Sequence, residues 1–223
     1  MEASDRSIRD RLARHWPVFG LEVCTPRLSL QMPTDPELLE LLALVDDGVH
    51  DPSWMPFQIP WTDAPQPQRA RESLAHYWGI RANWTPSSWT WNAAVRVNGA
   101  IVGIQAVSAD RFSELHEVES GSWLGLRHQG QGIGKEMRAA MLHLAFEGLG
   151  AERAYSGYVE GNEASKRVSA ALGYVSNGYD HRVIRGRSLR EHRVVLERDR
   201  WAPNRRADIE IIGLDGCREL FGA

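Results

Sequence analysis

Thirteen residues from Gly125 to Met137, GLRHQGQGIGKEM, hold four glycines between a strand-like run and a helix-like run. The chain must leave a strand, turn tightly and enter a helix with bare backbone on the way. The first amides of a helix have no intrahelical partner. They sit at the positive end of the helix dipole, and missing Cβ atoms let an anion come close. Two phosphate motifs fail here. The P-loop needs Gly, four residues, then Gly-Lys-Ser/Thr, but Gly134-Lys135 is followed by Glu136 and Gln129 stands where the first glycine belongs. The GxGxxG fingerprint fails because its third glycine comes one residue early, as Gly130-x-Gly132-x-Gly134. An anion cradle of another kind and a tight turn without a ligand both remain open.

The flanking pattern is mixed α/β. Residues 1–24 read as a short helix and linker. Leu28, Leu30 and Met32 alternate with polar residues in TPRLSLQMP, as in a half-buried strand. TDPELLELLALVDD follows with Thr34 or Asp35 as cap, Pro36 in the first turn and leucines at helical spacing. Residues 48–66 form a loop rich in Pro and Trp, and QPQRARESLAHYWGIRAN is a second helix. Two β-rich runs flank Asn98-Gly99, a dipeptide suited to a type I′ hairpin turn. HEVESGSWLGL is a further strand. Ile133, Met137, Met141, Leu144 and Ala145 give the next helix one buried face. RAYSGYVE is a strand, and NEASKRVSAALGY a helix capped by Asn162 and ended by Gly173. Strands near 179–185 and 191–198 precede a polar break, APNRRA, and an apolar run, DIEIIGL.

At 223 residues the chain is one large domain, or one domain with a tail. A net charge of -3 argues against a general nucleic-acid binder. No apolar run approaches the ~20 residues of a membrane span, and the N-terminus lacks the apolar core of a signal peptide. Cys24 and Cys217 form no pair motif, as expected of free thiols in a reducing cytoplasm. No metal-ligand cluster stands out. The apolar tail DIEIIGLDGCRELFG covers either its own core or a neighbour in a homo-oligomer.

Gln129-x-x-Gly132-x-Gly134 directly after the strand ESGSWLGL, together with the Asn-led helix ending Leu-Gly-Tyr from Asn162 to Tyr174, resembles the GNAT superfamily of acyl-CoA-dependent N-acyltransferases. TPRLSLQMPT and VVLERDRW look like its Rim-type branch, which acetylates ribosomal-protein N-termini. GVHDPSWMPF, SGSWLGLR and DGCRELFG resemble actinobacterial members in which acetyl and succinyl are both options for the acyl group. The resemblance implies an acyltransferase domain over residues 25–201, with residues 202–223 as a C-terminal strand or tail. It implies an α/β (α+β) GNAT fold, a twisted, mostly antiparallel sheet of about seven strands splayed at the fourth and fifth.

The implied chemistry is direct attack of an amine on the thioester of acetyl-CoA or succinyl-CoA. The pantetheine arm would pair with the strand edge at Leu124 and Leu126. The pyrophosphate would sit on the amides of Gln129, Gly130, Gln131, Gly132, Ile133, Gly134 and Lys135, with Lys135 or Arg167 as a charge partner. Glu117 and Glu119 share one face of their strand. Glu119 matches the family's strand-four glutamate and is the expected base, because the amine must be neutral to attack. His116 and His50 read better as structural histidines. Ser169 stands where many members place a tyrosine, so it offers the leaving sulfur a hydrogen bond at most. Asn162, Ser165 and Ser169 form a polar line, expected to face the cofactor crevice. HDPSWMPFQIPWT, residues 50–62, borders the acceptor. For a distal succinyl carboxylate, His116, Ser122 and Arg111 are the nearest candidates. Two alternatives stand beside this reading. One is an acyl-CoA sensor or scaffold without turnover. The other is a transferase of small amines or antibiotics, disfavoured for aminoglycosides because the acceptor loop has only Asp51 and Asp63 as acids.

Overall fold

The computed structural model describes the backbone of residues 2–223 and the side chains of residues 8–223. In chain order the helices are α1 (Glu2–Ala13), α2 (Asp35–Asp46), α3 (Gln68–Ala82), α4 (Phe112–Leu115), α5 (Ile133–His143), α6 (Glu163–Ala171) and α7 (Arg198–Trp201). The strands are β1 (Glu22–Cys24), β2 (Leu28–Gln31), β3 (Ser88–Val97), β4 (Ala100–Asp110), β5 (Glu117–Leu124), β6 (Arg153–Val159), β7 (Val175–Ile184), β8 (Arg187–Glu197) and β9 (Glu210–Ile212). Among the described residues these nine strands form one sheet in the order β7-β8-β6-β5-β4-β3-β2-β1-β9. The β5–β6 pair is parallel, because α5 carries the chain back across the sheet. The other pairs are antiparallel. This is the expected mixed α/β architecture, with two more strands than about seven. β1 lies in the stretch read as linker, and β9 in the stretch read as a C-terminal strand or tail.

Local chemistry sets the elements. Asn98 and Gly99 have φ of 49° and 83°, the left-handed pair that the β3–β4 turn requires. Along β3, Trp89, Trp91, Ala93 and Val95 enter the core under α5, while Ala94 packs with Leu38, Leu41 and Tyr77 of α2 and α3. The period-2 alternation of a strand thus splits one sheet between two helical layers. The tail stays on its own chain. β9 pairs with β1, Phe221 is fully buried, and the indoles of Trp84 and Trp89 donate to the carbonyls of Leu220 and Phe221. No helix among the described residues is long and apolar enough to cross a membrane.

One buried ionic knot joins three elements. Glu37 is 6% exposed. It accepts two hydrogen bonds from Arg9 Nη2 of α1 at 2.9 and 2.6 Å, one from Arg96 of β3, and one from the Thr34 N–H at 2.6 Å. Burial alone would raise the carboxyl. The guanidinium groups of Arg96 and Arg9, with the Thr34 amide, outweigh it and hold the group below the ordinary range. A carboxyl lowered in the folded state stabilises above the unfolded pKa, and that contribution disappears as pH falls through the folded value. Glu37→Ala, which strands two buried cations, is expected to cost about 3 kcal/mol at neutral pH in urea denaturation. The gap between variant and wild type should narrow below about pH 4.

Candidate functional site

β5 and β6 pair only from Glu117↔Arg153 to Ser120↔Ser156. Beyond that point β5 stays with β4 to Gly103↔Leu124, and β6 stays with β8 to Val159↔Glu191. Each strand follows its other neighbour, so a slot opens between Gly121–Leu124 and Gly157–Val159. The Gly125 N–H donates to Val102 O at 2.9 Å, which fixes the phase of the ladder. Peptide groups alternate sides in an antiparallel pair, so Gly121 and Trp123 address β4 while the N–H groups of Ser122 and Leu124 face the slot. This is the splay expected between the two central strands.

At the mouth of the slot stands the glycine-rich turn. Gly130 and Gly132 have φ of 72° and 78°. Nothing lies within 4 Å of a Cβ built on Gly130. The first helical bond of α5 runs from Glu136 N–H to Gly132 O, so the amides of Ile133, Gly134 and Lys135 precede it without an intrahelical partner. A carboxylate clamp pins this helix start. Glu136 accepts from Thr25 Oγ1 at 2.6 Å and from Arg27 Nε at 2.7 Å. Burial raises its carboxyl, and the Thr25 hydroxyl and Arg27 outweigh that, so the group stays ionised below the ordinary range. The Gln129 side chain is a second tie. Its Nε2 donates to Val49 O at 2.8 Å and Leu124 O at 3.0 Å, fastening the loop to the end of β5.

Slot and turn open into one cavity of about 850 Å³. Of the residues expected at the donor site, Glu119, Leu124, Gln129, Gly130, Gly132, Gly134, Lys135, Asn162 and Ser165 line it, as does Arg167. Asn162 also caps α6 by accepting from the Ser165 N–H at 3.0 Å. Leu126, Gln131, Ile133 and Ser169 do not line it. β5 ends at Leu124, and the Leu126 N–H already donates to Gly48 O at 2.9 Å, so Leu126 offers no strand edge. The Gln131 side chain bonds back to Arg127 O, and Ile133 is buried in the core. Ser169 is 2% exposed with its hydroxyl unpartnered. The α6 residues that line the cavity are Ala164, Ser165, Arg167, Val168 and Ala171.

The other half of the cavity is aromatic. His50, Trp54, Phe57 and Trp61 of the loop meet Trp123 of β5, with ring centroids 5.3 Å apart for Phe57–Trp61 and 6.0 Å for Trp61–Trp123. Glu119 lines the cavity, whereas Glu117 does not and pairs with Arg153 at 2.9 Å. His50 is tied to Thr62 and to the Asp51 carbonyl. His116 and Arg111 flank α4 in left-handed conformations, outside the cavity; Ser122 lines it. Sequence reasoning missed Asn92 and Arg138 in the lining, and the buried Glu191, which accepts from Arg182 Nε at 2.7 Å and from Gln58. A Cβ on Gly157 would lie 2.9 Å from Glu191 Oε1, so the slot's far strand has a glycine where that carboxylate passes. Gly132→Val forces a β-branched residue into left-handed backbone. It is expected to cost about 1–2 kcal/mol in urea denaturation.

A family model described as an acetyltransferase (GNAT) domain matches residues 27–175. Several solved structures share the fold. A probable acetyltransferase superposes with a TM-score of 0.67 at 17% identity, over 80% of this chain and 98% of that one. The ribosomal-protein-S5-alanine acetyltransferase of Vibrio fischeri gives 0.63 at 19%, over 81% and 98%. RimL, a ribosomal L7/L12 alpha-N-protein acetyltransferase in complex with coenzyme A, gives 0.62 at 16%, over 78% and 95%. At these identities the likeness speaks for the fold. The family match spans more than half of the chain and includes the splayed β5 and the glycine-rich start of α5, and on that basis the chain belongs to the GNAT acetyltransferase family.

Proposed function

We propose that this chain transfers an acyl group, acetyl or succinyl, from acyl-CoA to a primary amine by direct attack. The amine is that of a protein N-terminus, a lysine or a small molecule. One observation carries the reading: unpartnered amides at the start of α5 and the free edge of β5 open into the same cavity as Glu119 and the aromatic loop.

The residues suit the donor. A diphosphate matches the amides of Ile133, Gly134 and Lys135 at the positive end of α5, with the side chains of Lys135 and Arg167 beside them. The N–H groups of Ser122 and Leu124 orient an amide-bearing arm laid along β5. When bound, the donor supplies an activated thioester. A slot-facing N–H of β5 donates to the thioester carbonyl oxygen as negative charge grows there, an effect of about 10²-fold or more in comparable sites. Glu119 takes a proton from the incoming ammonium, directly or through water, and the neutral amine then attacks the thioester carbon. Ser165, the α6 hydroxyl that lines the cavity, takes the place expected of Ser169 as hydrogen-bond donor to the leaving sulfur. The Phe57, Trp61 and Trp123 rings exclude water from the acceptor side and fit an apolar or peptide-like chain behind the amine. The ribosomal-protein acetyltransferases among the structural neighbours favour a peptide N-terminus as the first acceptor to assay.

Native mass spectrometry of the freshly purified protein should reveal co-purifying acetyl-CoA or succinyl-CoA and so name the donor. Thiol release with that donor and a panel of peptides and amines should exceed the uncatalysed rate. A rate that never does would favour a sensor over an enzyme. Glu119→Gln should lower kcat by roughly 10²–10⁴-fold, with little change in KM for the donor.

A further inference from the structure

We propose that Arg138 is a positioning residue that props β5 and β6 apart and keeps the slot open for the pantetheine arm; the proposal rests on the acyl-CoA reading above. Arg138 lies on α5, lines the cavity and is 4% exposed. Its Nη1 donates to Ser156 Oγ of β6 at 2.9 Å and its Nη2 to Ser122 Oγ of β5 at 3.1 Å. Ser156 belongs to the last β5–β6 pair, and Ser122 is the second residue beyond it. The guanidinium therefore bridges the two strands where they part.

The crotch of the slot is polar throughout. Ser156 Oγ donates to Ser120 O at 3.1 Å, and Ser120 Oγ to Tyr155 O at 3.3 Å. A relay from Arg138 through Ser156 to the β5 backbone thus takes over where the main-chain ladder stops. A guanidinium is planar and its two forks diverge at a fixed angle, so it sets the separation of two acceptors as a flexible ammonium cannot. Without it, the ladder could add Gly121 with Gly157 and Ser122 with Tyr158, closing the slot.

Arg138 makes no ion pair among the described residues, and its Nε has no partner. A buried cation without a counter-ion is costly, and replacing such groups by well-packed hydrophobic side chains is often neutral or stabilising. Stability alone gives no reason for an arginine here; the width of the slot does.

The test compares two ligands on the full chain by calorimetry: coenzyme A, which needs slot and cradle, and 3′-phospho-ADP, which needs the cradle alone. In Arg138→Met the affinity for coenzyme A should fall about tenfold or more, with 3′-phospho-ADP changed less than about twofold. Its melting temperature should hold or rise. Arg138→Lys, with one prong, should restore only part of the loss. Ser156→Ala keeps the arginine but removes its β6 anchor; it should shift the same ligand in the same direction, and it decides the matter if Arg138→Met does not fold. Coenzyme A binding unchanged in both Arg138→Met and Ser156→Ala, or equal loss of both ligands, overturns the prop alone. Wild-type protein that binds no coenzyme A overturns the acyl-CoA reading and the prop with it.

Discussion

The site depends on a parallel strand pair that stops early. β5 and β6 share only four residue pairs, while each keeps a longer antiparallel ladder with its outer neighbour. Beyond Ser120 and Ser156 each strand follows its outer neighbour. The result is a line of backbone donors left facing a slot in the middle of a sheet, a place where unpaired groups are otherwise rare. Arg138 and three serines occupy the point of divergence.

The second requirement is that a helix begin at the mouth of that slot and stay there. α5 is anchored by apolar side chains beneath and by the Thr25–Glu136–Arg27 clamp at its first turn. Gly130 and Gly132 supply left-handed backbone that an ordinary residue resists. Gln129 ties the turn to Leu124 O and to Val49 O, so the loop leading to the aromatic wall is fastened at the same point as the end of β5. The glycine-rich turn and the loop that carries the aromatic wall are therefore joined through one glutamine.

Much of this could be read from residues whose local chemistry admits few solutions. Asn98-Gly99 demanded a hairpin, Pro36 after Thr34 or Asp35 demanded a helix start, and the glycines after Leu124 demanded a strand-to-helix turn. What escaped depended on partners far away in sequence. Leu126 fits a continuing strand by type, yet its amide is taken by Gly48. Ser169 fits a polar line by spacing, yet it is buried and is not among the residues lining the cavity. Arg138 sits in the buried run from Glu136 to Leu142, where periodicity predicts only apolar packing. A lone charge on such a face was the signal available. The strand β1 is three residues long, too short for alternation to register.

The most direct test is a crystal structure of the protein with acetyl-CoA. The account predicts the diphosphate on the amides of Ile133 to Lys135 and the pantetheine arm lying in the slot against Ser122 and Leu124, its thioester within reach of Glu119 and Ser165. A slot zipped shut beyond Ser120, or a donor bound elsewhere with the α5 start filled by the protein's own side chains, would contradict it.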